Sequence, residues 1–157
     1  MKPSRQSSVL FHVKAREVRV PALRRFARTL ADEVAEGRAF CCLITDDDEL
    51  RRLNREFRKK DYATDVLSFP SSDGRQPGLP DTDAMVGDIA ISLDRAEQQA
   101  RVMNHSTEQE LRILMLHGVL HLTGLDHEND HGEMACAERR WRQRFGLPAG
   151  LIERVSP

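Results

Sequence analysis

The chain has 157 residues, 39% of them hydrophobic, enough to bury one core and too few for two comfortable ones. A formal charge of −1 excludes nucleic-acid binding driven by net charge, so any RNA contact must come from a local basic patch. Three cysteines, Cys41, Cys42 and Cys136, exclude a secreted disulfide framework, and no apolar run reaches the ~18 residues that cross a membrane. The basic N-terminal stretch also lacks an apolar run of signal-peptide length. The composition therefore reads as a single cytoplasmic domain, 1–157, with reduced core cysteines.

Residues 8–14 are apolar and β-prone and predict a first strand, with His12 as a surface or edge histidine. Pro21 opens a helix on which Leu23, Phe26, Ala27, Leu30 and Val34 recur at helical spacing, ended by Gly37. Its arginines, Arg24, Arg25 and Arg28, form a solvated face or extend an RNA footprint. Residues 38–45 are a continuous apolar run of strand length, consistent with a central strand. Asp46, Asp47, Asp48 and Glu49 then supply a cap and negative charge for the positive end of the next helix. A triple aspartate also invites a magnesium-site reading, which capping replaces more simply. Leu50, Leu53 and Phe57 of this helix face the core, and Arg51, Arg52, Arg55, Arg58, Lys59 and Lys60 make the densest basic cluster in the chain.

Residues 65–69 alternate as an edge strand ended by Pro70. The stretch 71–84 is rich in Gly, Pro, Ser and Asp and reads as a long loop, flexible or substrate-gating. Residues 85–92 form the fourth strand, with Gly87 at a bulge or close approach. Asp88 beside it supports a metal ligand or the turn. Ser92 caps a helix with a polar outer face, and His105 follows as a surface loop histidine. Ser106 and Thr107, with Gln109 and Glu110 three residues on, give overlapping capping boxes.

The helix that follows is polar for one turn and then almost wholly apolar, which predicts a buried central helix. It carries His117 and His121, which an α-helix places about 40° apart around its axis and roughly 6 Å apart along it. Such a pair is a two-ligand metal claw or two hydrogen-bonded core histidines. Gly124 can end the helix in a left-handed cap that swings His127 back toward the pair. The resulting frame, HxxxHxxGxxH, has the ligand spacing of metzincin proteases. Three neutral imidazoles without a fourth protein ligand suit one zinc ion with a position open to water, although nickel, copper and other divalent ions are accepted by the same set.

The metzincin frame carries its general-base Glu directly after the first histidine, where this chain has Gly118. The ligands are kept and the peptidase base is missing, so the site reads as one for chemistry other than ordinary proteolysis. Asp126 orients an imidazole or caps the turn, and His131 is a surface histidine. A last helix over about 130–145 turns Met134, Ala137, Trp141 and Phe145 to the core, and the tail from Gly146 to Pro157 reads as a loosely packed end. The order of elements suggests an α+β domain with about four strands and about five helices.

The segment HGVLHLTGLDH, 117–127, resembles the HGxLHLxGxDH signature of the YbeY family of ribosomal-RNA maturation factors, metal-dependent single-strand endoribonucleases. NREFRKKDYATDVLSFP (54–70) and GDIAIS (87–92) also resemble that family, in the same order. The resemblance implies a zincin-like mixed sheet packed on a central metal-bearing helix, with zinc held by His117, His121 and His127. It implies action on single-stranded RNA in 16S rRNA 3′-end processing and ribosome quality control, with the ribosomal small subunit or its proteins as partners.

Arg58 aligns with the arginine of the family segment and can grip a phosphate bidentately, which makes it the candidate to neutralise charge developing in the transition state. The other reading is an exposed helix-end arginine complementing the helix dipole. Arg55, Lys59 and Lys60 are weaker candidates for tracking an RNA backbone. Some family members carry Tyr where this chain has Leu125, so no role for a phenol transfers and the general acid or base stays open. A non-catalytic, metal-stabilised ribosome-assembly or RNA-binding factor and a metallopeptidase-like hydrolase are the alternatives.

Overall fold

The computed structural model describes residues 7–71 and 85–155. The loop expected at 71–84 thus lies, apart from Ser71, outside the described residues. Ten elements alternate along the chain: β1 (Ser8–Phe11), α1 (Val20–Glu33), β2 (Ala39–Thr45), α2 (Asp47–Arg58), β3 (Val66–Pro70), β4 (Met85–Ser92), α3 (Leu93–Met103), α4 (Thr107–Leu122), α5 (Glu133–Arg144) and α6 (Leu151–Val155). This is an α+β architecture with a four-stranded mixed sheet ordered β1-β2-β4-β3.

β1, β2 and β4 run parallel, while β3 returns antiparallel to β4. β2 and β4 have strand neighbours on both sides, and their apolar runs are those of buried central strands. β3 is an edge strand that closes on Pro70, which lacks a backbone donor. Gly87 is both of the things its sequence context offered. The β2–β4 register slips opposite it, between Ala39 and Phe40, and its φ is +148°. A Cβ there would fall 2.7 Å from Leu122 Cδ2 and nearer still to the Phe69 carbonyl oxygen.

α4 is the central helix. Leu111, Ile113, Leu114, Met115, Leu116, Val119, Leu120 and Leu122 are all buried, and the helix packs on β3 and β4 as well as α1, α3 and α5. It begins with one capping box, in which Ser106 Oγ accepts from the Gln109 amide and Gln109 Oε1 accepts from the Ser106 amide. Thr107 is already inside the helix, so the second box is not formed. α2 and α3 are capped as expected, by Asp46 accepting from the Glu49 amide and Ser92 from the Arg95 amide.

Several expectations are corrected. Phe57 does not face the core but is 60% exposed: Leu50 and Leu53 settle on the sheet with Leu67, Ala90 and Phe69, and the last turn of α2 reaches only the edge strand. His105 is enclosed, its Nε2 lying 2.7 Å from Oε1 of the fully buried Glu110, because a buried carboxylate must find partners. Cys136 is exposed, whereas burial pushes the Cys42 thiol up to about 12 and leaves it inert. Through residue 155 the tail is packed rather than loose, and residues 156–157 lie outside the described residues. Leu147 and Ile152 are buried, α6 is a sixth helix, and Arg142 pairs with Glu153 at 2.6 Å. Its pattern was invisible because ion pairs, more than apolar periodicity, fasten it.

At the start of α4, Arg19 grips Glu108, at 3.2 Å from Nε to Oε1 and 2.9 Å from Nη2 to Oε2. Hydrogen bonding to Arg19 holds the Glu108 carboxyl down at about 2. A depressed folded-state pKa contributes stability that is complete above the unfolded value, 4.5, and lost as pH falls toward about 2. Glu108→Gln is therefore expected to flatten the dependence of thermal midpoint on pH across that window while leaving its shape above pH 5 unchanged.

Candidate metal centre and cleft

α4 is long enough that His117 and His121 fall on its last two turns, at the edge of the core. Gly124, with φ +104°, terminates the helix and its amide donates to the His121 carbonyl oxygen. The turn brings His127 back, so that ligand atoms of His117, His121 and His127 all lie within 4.8 Å of one another. The ring centroids are 4.8, 5.5 and 5.5 Å apart. The three histidines picked out by spacing thus converge on one point.

The ring orientations are fixed by hydrogen bonds on the far nitrogens. His117 Nδ1 lies 2.7 Å from Glu138 Oε2, and His121 Nδ1 donates to the Leu125 carbonyl oxygen at 3.0 Å. Both rings consequently present Nε2, and these two atoms face each other at 3.2 Å. Tetrahedral coordination with bonds of about 2.0–2.1 Å separates neighbouring nitrogens by roughly 3.3 Å, so the donor set fits a zinc-sized divalent ion. Burial, together with the charges His117 and His127 would carry, pushes the His121 imidazole below the usual histidine range and keeps it in the neutral, ligating form.

The buried carboxylate behind His117 was missed by sequence reasoning. Glu138 is 1% exposed and its Oε1 also accepts from the Ile152 amide at 3.0 Å. Its signal was a charged residue on the inner face of α5, one turn from Met134 and beside Ala137, and it was hidden because a single Glu in a polar helix is ordinary. Asp88 does not take this place: its side chain is exposed on β4, and among the described residues no hydrogen bond reaches it. Asp126 caps the turn, accepting from the Glu128 amide and from Asn129 Nδ2, and these bonds hold its carboxyl below the usual range.

The histidines open into a cleft of about 780 Å³. Arg58, Ser68 and Pro70 line one side, Leu151, Ile152 and Arg154 are among the residues lining it elsewhere, and Asp65, Asp126 and Glu128 bring carboxylates to it. Arg58 Nη2 donates to the Ser68 carbonyl oxygen at 2.8 Å, and Ser68 Oγ donates to the Gly118 carbonyl oxygen at 3.1 Å. One buried serine on β3 therefore ties the cleft arginine to the helix that carries the histidines. Arg55, Lys59 and Lys60 are exposed and lie outside the cleft lining; Arg55 comes within 3.8 Å of Asp61. Arg154 is engaged by Glu110 through both terminal nitrogens, at 2.9 and 2.8 Å. His12 and His131 are exposed and are not members of the cluster.

Gly118 has a packing reason to be glycine. A Cβ there would meet Ile89 Cδ1, Cγ2 and Cγ1 at 3.0, 3.1 and 3.2 Å. Gly118→Glu is expected to lower stability by about 3 kcal/mol or more through overpacking and burial of a charge, without gain of peptidase activity. Chemical denaturation and a casein-cleavage assay would check both halves of that expectation.

The family model described as endoribonuclease YbeY matches residues 10–146. A curated endoribonuclease YbeY from Solibacter usitatus is 62% identical over 149 residues, covering 95% of each chain. Another from Koribacter versatilis is 54% identical over 114 residues, 73% of this chain and 69% of its own length. The solution structure of TM1509 from Thermotoga maritima superposes with a TM-score of 0.57 at 25% identity, over 88% of this chain and 89% of that one. Among the described residues, no helix is long and apolar enough to cross a membrane.

Proposed function

This chain belongs to the endoribonuclease YbeY family, and from that premise we propose that it cleaves single-stranded RNA with the help of one zinc ion, in the maturation of ribosomal RNA in the cytoplasm. The observation that carries the reading is that Arg58 and the three convergent histidines line the same cleft. His117, His121 and His127 would hold the ion. When bound, a divalent metal supplies Lewis acidity and lowers the pKa of water at its open position.

The chain's own residues account for the rest of the geometry. Arg58, the cleft cation held by no carboxylate among the described residues, receives the charge that builds on the phosphate oxygens as the phosphodiester is attacked. Its anchor on the Ser68 carbonyl leaves other guanidinium N–H groups to meet the phosphate in a fork. Ser68 sets the distance between that fork and α4. Glu138 and the Leu125 carbonyl hold the imidazoles, and so fix where the phosphate must sit relative to Arg58. Small-subunit ribosomal RNA, near its 3′ end, is the substrate proposed.

Cleavage of end-labelled single-stranded RNA by zinc-loaded and chelator-stripped protein, beside Arg58→Ala and Arg58→Lys, tests the proposal. Activity is expected to vanish on stripping, to return with zinc, and to fall about 10²–10³-fold in Arg58→Ala, the range for losing one transition-state donor. Lys, a point charge without the fork, recovers only part of it. Equal cleavage by all preparations would trace the activity to a contaminating nuclease and sink the reading.

A further inference from the structure

We propose that Phe57, resting on Phe69, is a stacking platform for one unpaired nucleobase of the RNA, flanking the phosphate held at Arg58. The inference deepens the endoribonuclease reading and rests on it. The pair lies where α2 meets the edge strand, and two neighbouring contacts bridge these elements. Arg58 reaches the Ser68 carbonyl at 2.8 Å, and the Phe57 ring meets that of Phe69 edge-on, with centroids 5.5 Å apart and planes at 67°. Ser68 and Phe69 point to opposite faces of β3, as strand neighbours must. Arg58, which lines the cleft, and Phe57, which does not, are neighbouring residues that both meet the edge strand.

An isolated exposed apolar side chain needs no explanation. Here Phe57 is 60% exposed and Tyr62 53% exposed, and both lie within the eight residues that hold Arg55, Arg58, Lys59 and Lys60. Among the described residues no carboxylate comes within ion-pair distance of Lys59 or Lys60, and Arg55 has only the 3.8 Å approach to Asp61. Arg51 and Arg52, one turn back, are by contrast held by Asp61, Glu49 and Glu56. Cations thus outnumber carboxylates around the exposed rings, four against Glu56 and Asp61, the pairing of charge and π-face that single-stranded nucleic acid occupies.

The surface is also preorganised. Lys59 ends α2 in a left-handed conformation with φ 60°. The buried Asn54 accepts the Lys60 amide on its backbone carbonyl and donates from Nδ2 to the Tyr62 carbonyl at 2.9 Å. Phe69 backs the Phe57 ring and is itself packed on the Leu50, Leu67 and Ala90 cluster. A base landing on Phe57 therefore meets a ring already held, and less ordering entropy opposes binding.

The test combines a protein change with a base deletion. Short single-stranded RNAs, each abasic at one successive position, are bound to zinc-loaded wild type, Phe57→Leu and Phe57→Trp, with Kd read by fluorescence anisotropy. Intact RNA is expected to bind Phe57→Leu about tenfold more weakly than wild type, within the range for losing one base–aromatic stack, and Phe57→Trp as well as wild type. One abasic position should cost wild type the same factor and cost Phe57→Leu nothing more, and the cleavage defect should appear in KM rather than kcat. If wild type cleaves and binds RNA but Phe57→Leu binds equally well and the abasic series is flat, the platform is overturned, and the patch belongs to a protein contact or none. If wild type neither binds nor cleaves RNA, the endoribonuclease reading fails and takes the platform with it.

Discussion

His121→Ala is expected to abolish zinc retention and lower RNA cleavage by at least about 10³-fold, because several kcal/mol of metal-derived stabilisation leave the transition state. His117→Ala should lose as much activity, yet the two variants should part in stability. The free nitrogen of His121 donates only to the Leu125 carbonyl, at a half-buried place where water can substitute. His117 instead sits against Glu138, and its removal leaves the 1% exposed carboxylate without that partner. Leaving a buried carboxylate short of a hydrogen-bond donor costs about 1–3 kcal/mol or more. Metal-free His117→Ala should therefore unfold at markedly lower denaturant than metal-free wild type, and metal-free His121→Ala close to it. Zinc should raise the thermal midpoint of wild type by mass action and leave both variants unmoved. Equal zinc protection of His121→Ala and wild type would remove that histidine from the ligand set.

That asymmetry between the two histidines could not be read from the chain. The ligands themselves were legible because helical periodicity and one glycine turn determine where His117, His121 and His127 go, and both are local properties. The strands and the central helix were legible for the same reason: β2 is an unbroken apolar run, β4 is apolar but for Gly87, Asp88 and its closing Ser92, and α4 is almost wholly apolar after its first turn. Long-range polar pairs have no such period. Glu138 meets His117 across 21 residues, and Arg154 meets Glu110 across 44, so the α6 tail looked loose. Phe57 misled in the opposite way. Its spacing from Leu50 and Leu53 is helical, but whether that face is covered depends on how far the sheet extends beneath it, and β3 is where it stops.

Glu138→Gln is expected to weaken zinc binding by 10–100-fold, the usual consequence of altering the partner of a ligating histidine, with a smaller loss of stability. The carboxylate uses its two oxygens for two different tasks: Oε2 orients His117, and Oε1 accepts the Ile152 amide at the start of α6. A glutamine has one acceptor oxygen and cannot serve both, and its NH₂ would face another donor. Glu138→Ala should cost more, about 3 kcal/mol or above, because it also opens a void and orphans the Ile152 amide. A third variant moves the carboxylate without deleting it. A Cβ at Gly150 would fall within 2.7 Å of the Glu138 Cδ and 2.9 Å of its Cγ, and closer to Oε1, so Gly150→Ala must push the side chain toward His117 or pull it away. Competition with a chelating dye reads zinc affinity, and denaturation of the metal-free proteins reads stability. If Glu138→Gln and Gly150→Ala both lose zinc affinity, the tail from Gly150 onward is coupled to the metal through a single carboxylate. Unchanged affinity in both, with lowered stability, would reduce Glu138 to a fastening for α6.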